Sequence, residues 1–310
     1  MSDNIQVKEI LQSIGYNPKI NGKNYQCVPL YRESDSAVLF VNKHNGLWYD
    51  FKDCIGGELK DLVRMTTGKS DNESQKFLDS NNFVTSIPKD GDETGEDLGY
   101  RTFPKEWLSK LEKNHYYWKK RGISESSTAE FMGGVAKDGR MYMRYVFPIF
   151  NERGEIIGFS GRDILNVSKR VKWKILGPKK NFCYPAYFNF NTLINDKEII
   201  LVESIGDMLR LWDSGIKNTL VLFGVNINPI TIKTILKADP NRIVIALNDD
   251  SNNSNAGNKA SEKIRRKLLE YFDPEKVVIH LPEGANDFGD MTDEQIKSWK
   301  KNLSGSQPQE

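Results

Sequence analysis

With 310 residues, 28 % charged and 38 % hydrophobic, the chain is long enough to bury a sizeable core and is expected to divide into two or three domains. No apolar run approaches the roughly 20 residues of a membrane span, and the polar opening MSDNIQVKEI is unlike a signal peptide, so a cytoplasmic protein that engages no membrane is expected. Cys27, Cys54 and Cys183 are odd in number and far apart, which argues against a disulfide framework and fits a reducing compartment.

The net charge of +2 conceals an uneven distribution. Residues 1–99 carry 11 Lys/Arg against 16 Asp/Glu, residues 100–195 carry 18 against 8, and residues 196–310 carry 15 against 18. A basic middle third beside acidic flanks suits a protein that grips a polyanion.

In chain order, Ile5–Ile14 has the spacing of an amphipathic helix. Tyr25–Tyr31, Ala37–Asn42 and Leu47–Phe51 read as strands, the last two joined by a turn at Lys43-His44-Asn45-Gly46. Gly56-Gly57 is expected to break this ribbon before a helix from Glu58 to about Met65. The segment 89–99, acidic and bearing glycine, reads as a linker after a unit of residues 1–88. Beyond it, Pro104–Arg121 is expected to be helical, with a short helix near Ser124–Phe131 and strands at Met141–Phe150 and Glu155–Ser160. This basic subdomain is placed at 100–195.

Residues 196–292 alternate strand-like runs (EIILV from Glu198, TLVLF from Thr219, RIVIAL from Arg242, KVVIHL from Lys276) with helix-compatible segments, the pattern of a parallel α/β sheet. A charged helix and a frayed polar tail are expected over 293–310. Glu203, Asp207, Asp250 and Asp287 lie past the carboxyl ends of those runs, where residues far apart in sequence converge in such sheets. Carboxylates gathered there suggest a divalent-metal site, although a single aspartate at a strand end can simply cap the next helix.

The order of motifs resembles the DnaG-type DNA primases of bacteria and phages. The resemblance is carried by Arg121-Gly122-Ile123, the Arg144 to Ile149 stretch RYVFPI, a Gly158-Phe-Ser-Gly-Arg162 turn, Val202-Glu203-Ser-Ile-Gly-Asp207, Asn248-Asp249-Asp250 followed by Ala256-Gly257, and Asp287-Phe-Gly-Asp290. It implies an α/β fold: a parallel, Rossmann-like TOPRIM domain preceded by a mixed α+β primase core subdomain. It also implies an N-terminal zinc ribbon, yet the ligand positions carry Tyr31, Asp50 and Asp53. Two lone cysteines and His44 do not make a tetrahedral set, so no structural zinc is expected. Aromatic packing could replace the metal as core; the resemblance gives this unit a part in template recognition.

By the same resemblance, Glu203, Asp207 and Asp250 are the catalytic candidates. Glu203, Asn248, Asp250, Asp287 and Asp290 are the candidates for holding Mg²⁺ or Mn²⁺. Asn248 departs from the family's D-x-D, bringing an amide oxygen but no charge. The loop after it is lengthened by Ser251–Asn255. Arg144, Arg162, Lys172, Lys174, Lys179 and Lys180, interleaved with Trp173, Phe182 and Tyr184, are the candidates for nucleotide or template contact. Cations can track a single-stranded backbone while rings stack on bases.

The implied activity is synthesis of short RNA primers on a single-stranded DNA template from ribonucleoside triphosphates. No Walker A sequence is present, so a separate replicative helicase and a single-strand-binding protein are the expected partners, in a phage or mobile element acting in a bacterial host. Two alternatives remain open: a TOPRIM nuclease, and a non-catalytic single-strand-binding remnant.

Overall fold

The computed structural model describes residues 5–22, 24–50, 52–53, 55–81, 83, 102–165, 170–249 and 256–305. The expected linker 89–99, Asp250, the insertion 251–255 and the tail 306–310 lie outside them, as do Phe51 and Cys54.

The N-terminal unit folds around helix α1 (Ile5–Ser13) and a meander of five antiparallel strands, β1 (Lys19–Asn21), β2 (Asn24–Cys27), β3 (Leu39–Asn42), β4 (Trp48–Asp50) and β5 (Ile55–Gly57). Helices α2 (Leu59–Thr67) and α3 (Asp71–Ser80) follow. Strands β2 and β3 alternate buried and half-buried residues, as a sheet with one covered face requires. Tyr25, Val41, Trp48, Leu59 and Leu62 form its core with Val7 and Leu11 of α1.

Gly56-Gly57 does not break the ribbon but belongs to β5. A Cβ on Gly56 would stand 2.5 Å from the Trp48 carbonyl oxygen and 2.5 Å from Leu165 Cδ2, so glycine here permits close approach rather than a turn. The same contact seats the unit on the rest of the molecule, where Leu47 and Tyr49 join a core that also holds Ile164, Leu165 and Trp118.

The middle subdomain is a second antiparallel sheet of β6 (Leu111–Glu112), β7 (Gly134–Ala136), β8 (Arg144–Phe150), β9 (Ile156–Asp163) and β10 (Trp173–Leu176), with helices α4 (Tyr116–Lys119) and α5 (Glu125–Glu130) between β6 and β7. The long helix expected over 104–121 is absent. Lys105–Lys110 is a 3₁₀ turn, and Leu111-Glu112 pair with Val135 and Ala136 as a sheet edge, a tertiary pairing that overrides local propensity. The strand expected from Met141 begins only at Arg144, because Gly139–Met141 form a 3₁₀ turn and Met143 takes a left-handed φ of 53°.

The third sheet is parallel. Helix α6 (Ala186–Asp196) leads into β11 (Glu198–Val202), α7 (Ile205–Asp213), β12 (Thr219–Val221), α8 (Pro229–Ala238), β13 (Arg242–Ile245), α9 (Ala256–Leu268), β14 (Val277–Ile279) and α10 (Asp293–Gly305), with strand order β12-β11-β13-β14. Every residue of central β11 is buried, which is why its sequence runs apolar without alternation. Helix α10 is part of this body: Ile296, Trp299 and Leu303 are buried in the core, and Lys300 and Arg242 both pair with Glu198.

Candidate active site at the carboxyl edge of the parallel sheet

Glu203 follows β11 directly, half-buried, at the carboxyl edge. Its carbonyl oxygen accepts a hydrogen bond of 3.2 Å from the Gly224 N–H, which ties the loop leaving β11 to the loop leaving β12. The latter loop is strained, with Phe223 at φ 56° and Gly224 at φ 126°. The Lys179 ammonium lies 3.4 Å from where a Cβ on Gly224 would stand. Partial desolvation pushes the Lys179 pKa down, against an upward pull from the Glu203 charge.

Asp207 sits in the first turn of α7 and is only 3 % exposed. With Ser204 it makes a reciprocal cap: its carboxylate accepts from the Ser204 N–H (3.0 Å) and hydroxyl (2.7 Å), while Ser204 Oγ accepts from the Asp207 N–H. The helix-capping role weighed from sequence is therefore real. It does not exhaust the residue, because burial and the nearby charge of Asp287, with a smaller push from Glu203, raise its carboxyl pKa to about 7 despite those hydrogen bonds.

Asp287 opens a 3₁₀ turn over Phe288–Asp290 and accepts a hydrogen bond of 3.1 Å from the Asp290 N–H. Phe288 anchors this loop edge-to-face on Trp299, and Arg210 of α7 clasps it by donating to the Met291 carbonyl (3.0 Å) and pairing with Asp293 (2.7 Å). Asp290 stands further out, 3.8 Å from Arg121. On the β13 side, Asn248 is half-buried, and the Asp249 N–H donates to the Asn286 carbonyl (2.8 Å), linking that loop to the one bearing Asp287.

Glu203, Asp207 and Asp287 thus share one edge, with Asp290 at its rim. Among the described residues no three His, Cys, Asp or Glu side chains stand close enough to hold a metal ion on their own. The donors nevertheless suit Mg²⁺, which takes hard oxygen ligands and needs only one or two carboxylates. The raised pKa of Asp207 comes first from burial and then from the charges of Asp287 and Glu203, and a divalent cation would relieve that second part.

The basic candidates divide. Arg162 lies on β9 between Tyr145 of β8 and Trp173 of β10, so the expected Gly158 to Arg162 turn is strand interior. The glycines serve packing: a Cβ on Gly158 would collide with Phe182 at 2.2 Å and one on Gly161 with Met141 at 2.8 Å. The half-buried Arg162 guanidinium donates to the Tyr117 hydroxyl (2.8 Å) and lies over the rings of Tyr117 and Trp173. Trp173 stacks on Trp118, which reaches the start of α7 at Gly206.

Arg144 is a correction. It is 1 % exposed and donates to the carbonyls of Gly161 (3.2 Å) and Val171 (2.9 Å), so it ties strands together inside the sheet instead of facing the crevice. Lys172 and Lys180 are exposed, and Lys174 is half-buried on β10. Phe182 and Tyr184 are buried core rings and offer no face to a base. Two features at this edge are not apparent from the sequence, Arg121 at the acidic rim and the Arg210 clasp. The first lies within a motif noted only for its order; the second has no local signal.

In the N-terminal unit, the positions expected to lack zinc ligands form a polar knot. Asp50 is fully buried, and accepts from the Tyr31 hydroxyl (2.7 Å), Arg32 Nη2 (2.7 Å) and the N–H groups of Lys52 (2.8 Å) and Asp53 (3.2 Å). Arg32 also pairs with Asp53 at 2.7 Å.

Residues 197–279 match the family model of the Toprim domain. The DNA primase of Helicobacter pylori (strain J99) is 26 % identical over 204 residues, 62 % of this chain and 35 % of that protein. The chain spans about a third or less of the length of the curated relatives it matches. The crystal structure of the Aquifex aeolicus primase, comprising zinc binding and RNA polymerase domains, aligns with 99 % of this chain and 86 % of that one at a TM-score of 0.53 and 20 % identity. The structure of the DnaG primase catalytic domain bound to ssDNA aligns with 66 % of this chain and 77 % of that one at a TM-score of 0.56 and 19 % identity. Identities this low establish a shared fold. Within the chain, residues 197–279 are similar to the Toprim domain, and the chain as a whole is similar to the DNA primases just described.

Proposed function

We propose that the chain is a DNA primase that makes short RNA primers on single-stranded DNA by Mg²⁺-dependent nucleotidyl transfer, in a phage or mobile element, alongside a separate helicase and single-strand-binding protein. The observation that carries this reading is the crowded acidic edge, where Asp207 is buried beside Asp287 and Glu203 while Lys179 approaches from the middle subdomain. A nuclease and a polymerase can share such an edge; the primase relatives in sequence favour the polymerase.

In this reading a 3′ hydroxyl attacks the α-phosphorus of a ribonucleoside triphosphate and pyrophosphate leaves. Glu203, Asp287 and Asp250, with the Asn248 amide, would hold the metal, which supplies activation of the hydroxyl and neutralisation of the leaving oxygens. Lys179 binds phosphate on the β12 side, close to Glu203. Arg162, braced by Tyr117 and Trp173, aims a guanidinium at the strand that carries the template, and Lys172, Lys174 and Lys180 follow its backbone. Asp207 acts as a positioning residue: its cap on Ser204 fixes the start of α7 and so the direction in which Glu203 leaves the sheet. The N-terminal unit contributes template recognition with the Asp50 knot in place of bound zinc.

Incubating the full chain with single-stranded DNA, Mg²⁺ or Mn²⁺ and labelled ribonucleotides should yield short RNA, and Glu203→Gln should reduce it to background while leaving thermal unfolding unchanged. DNA cleavage in place of synthesis would assign a nuclease. Binding without chemistry would leave a non-catalytic remnant.

A further inference from the structure

Away from the acidic edge, a cavity of about 980 Å³ opens where the β8–β9 turn of the middle subdomain meets α6 and α8 of the parallel-sheet body. Small-ligand sites commonly lie between packed units and measure roughly 300–1,000 Å³. None of Glu203, Asp207 and Asp287 lines this cavity, and Lys179, although it lies between the lining residues Pro178 and Asn181, reaches toward Gly224 instead. The walls are apolar and ringed. Phe150, Tyr187 and Phe190 line them with Ile157 and Ile230, and Tyr187 stacks on Phe150 (4.8 Å, 29°) while remaining 47 % exposed, so its ring is held yet open to a ligand. Cys183 in the same wall is a neutral thiol, its pKa pushed up to about 11 by burial.

The charges sit on the rim. Glu152 pairs with Lys237 at 2.8 Å, and the Glu155 carboxylate accepts from the Asn151 amide at 2.8 Å. Arg153 differs: among the described residues its guanidinium has no hydrogen-bond or ion-pair partner. Its backbone is nevertheless pinned, because Asn151 Oδ1 accepts from the N–H groups of Arg153 (2.9 Å) and Glu155 (3.0 Å). Gly154 takes a φ of 71° against Tyr187, whose hydroxyl lies 3.0 Å from where a Cβ would stand, and this close approach seats the turn on the ring wall.

We propose that this cavity binds an aromatic anion, with its flat ring system against Tyr187 and Phe190 and its phosphate or carboxylate on Arg153. Both rim acids are already engaged, so the charge still open to a partner is positive, and a planar fork with five donors matches the paired oxygens of such a group. A cationic ligand would have to displace Lys237 from Glu152 or the amide from Glu155. An aliphatic acid would leave the faces of the rings unused. The assignment is independent of the activity proposed above.

The test titrates the full chain with the fluorescent dye anilinonaphthalene sulfonate, itself an aromatic anion, and displaces it with AMP and with indole acetate. Arg153→Ala is expected to weaken dye binding about tenfold, the loss of one charge-assisted contact, while Glu203→Gln leaves it unchanged. Ile230→Trp should exclude the dye by filling the cavity; Arg153 is exposed on a turn, so its variant decides the matter even if Ile230→Trp does not fold. Adenosine and indole, which keep the rings and lack the anion, should compete about tenfold less well than AMP and indole acetate. Displacement by AMP alone would assign a phosphate ligand, and by indole acetate alone a carboxylate. Equal dye affinity in wild type and Arg153→Ala overturns the proposal, as does a loss confined to Glu203→Gln, which would put the dye at the acidic edge. Competition by adenosine and indole as strong as by their acids would remove the anion, and failure of both AMP and indole acetate to displace the dye at millimolar concentration would remove the ligand class.

Discussion

Two buried aspartates answer the same problem in opposite ways. Asp50 of the N-terminal unit and Asp207 of the parallel-sheet body are 0 % and 3 % exposed, and burial pushes both carboxyls toward the neutral form. At Asp50 the donors Tyr31, Arg32 and two backbone N–H groups outweigh that cost and hold the carboxyl below its usual range. At Asp207 the Ser204 cap does not, because Asp287 and Glu203 add their charges to the penalty. The first site is electrostatically complete from within; the second is left short of positive charge. A site that completes itself holds a fold together; in the proposed function a cation from outside would complete the second.

The contrast breaks most visibly at Asp50. Asp50→Ala strips the knot of its centre and leaves Arg32 and the Tyr31 hydroxyl without their buried acceptor, at a cost of about 3 kcal/mol. Urea unfolding should show the loss, and a metal chelator should leave the wild-type curve where it was. One zinc per chain in metal analysis, or an Asp50→Ala curve superimposed on the wild type, would sink the idea that this knot stands in for metal.

Next in size is a difference in pH response. Asp207, with its folded pKa raised to about 7, keeps a proton that the unfolded chain has released above pH ~4, so its contribution to stability falls as pH climbs through that window. Asp207→Asn keeps an oxygen for the Ser204 cap and removes the ionisation, and should gain ~2 kcal/mol over the wild type at pH 8 with little change at pH 4. Asp50 runs the other way: its folded pKa is depressed, so its stabilisation is present above pH ~4 and is lost as pH falls through the folded value. Melting temperatures of the wild type and Asp207→Asn across pH 4–8 check the sign at Asp207, and identical pH profiles would remove the argument from a raised carboxyl pKa.

The parallel sheet was legible because its strands are buried on both faces and read as unbroken apolar runs; Glu198–Val202 in the structure matches the run in the sequence. The acidic edge followed from topology alone. What stayed hidden depends on contacts between distant segments. Nothing near Gly56 or Gly158 announces Leu165 or Phe182, so glycines that admit a neighbour have the local sequence of turns. Arg144 looked like a surface cation because its carbonyl acceptors at Gly161 and Val171 come from other parts of the chain. Leu111-Glu112 looked helical until β7 paired with them. Asp207 carried both of its roles in the short Ser204 to Asp207 spacing, yet only the folded neighbours reveal which is under strain.

The smallest effect sharpens the comparison by asking which cations are spent internally. Arg32 is committed to Asp50 and Asp53, so Arg32→Gln should lower stability and leave the salt dependence of single-stranded DNA binding unchanged. Lys172 is exposed beside β10, on the strip that also carries Arg162 and Trp173. Each phosphate it neutralises releases condensed counterions, so Lys172→Ala should make the log-log slope of affinity against salt shallower by about 0.7, with little effect on unfolding. Lys237, paired with Glu152 at 2.8 Å on α8, serves as the exposed control and should move neither quantity appreciably. Fluorescence anisotropy over a salt series separates the three variants. Equal slopes in wild type and Lys172→Ala would shift the nucleic-acid path off β10, and a slope that moved with Arg32→Gln would make the N-terminal knot a binding surface rather than a self-contained one.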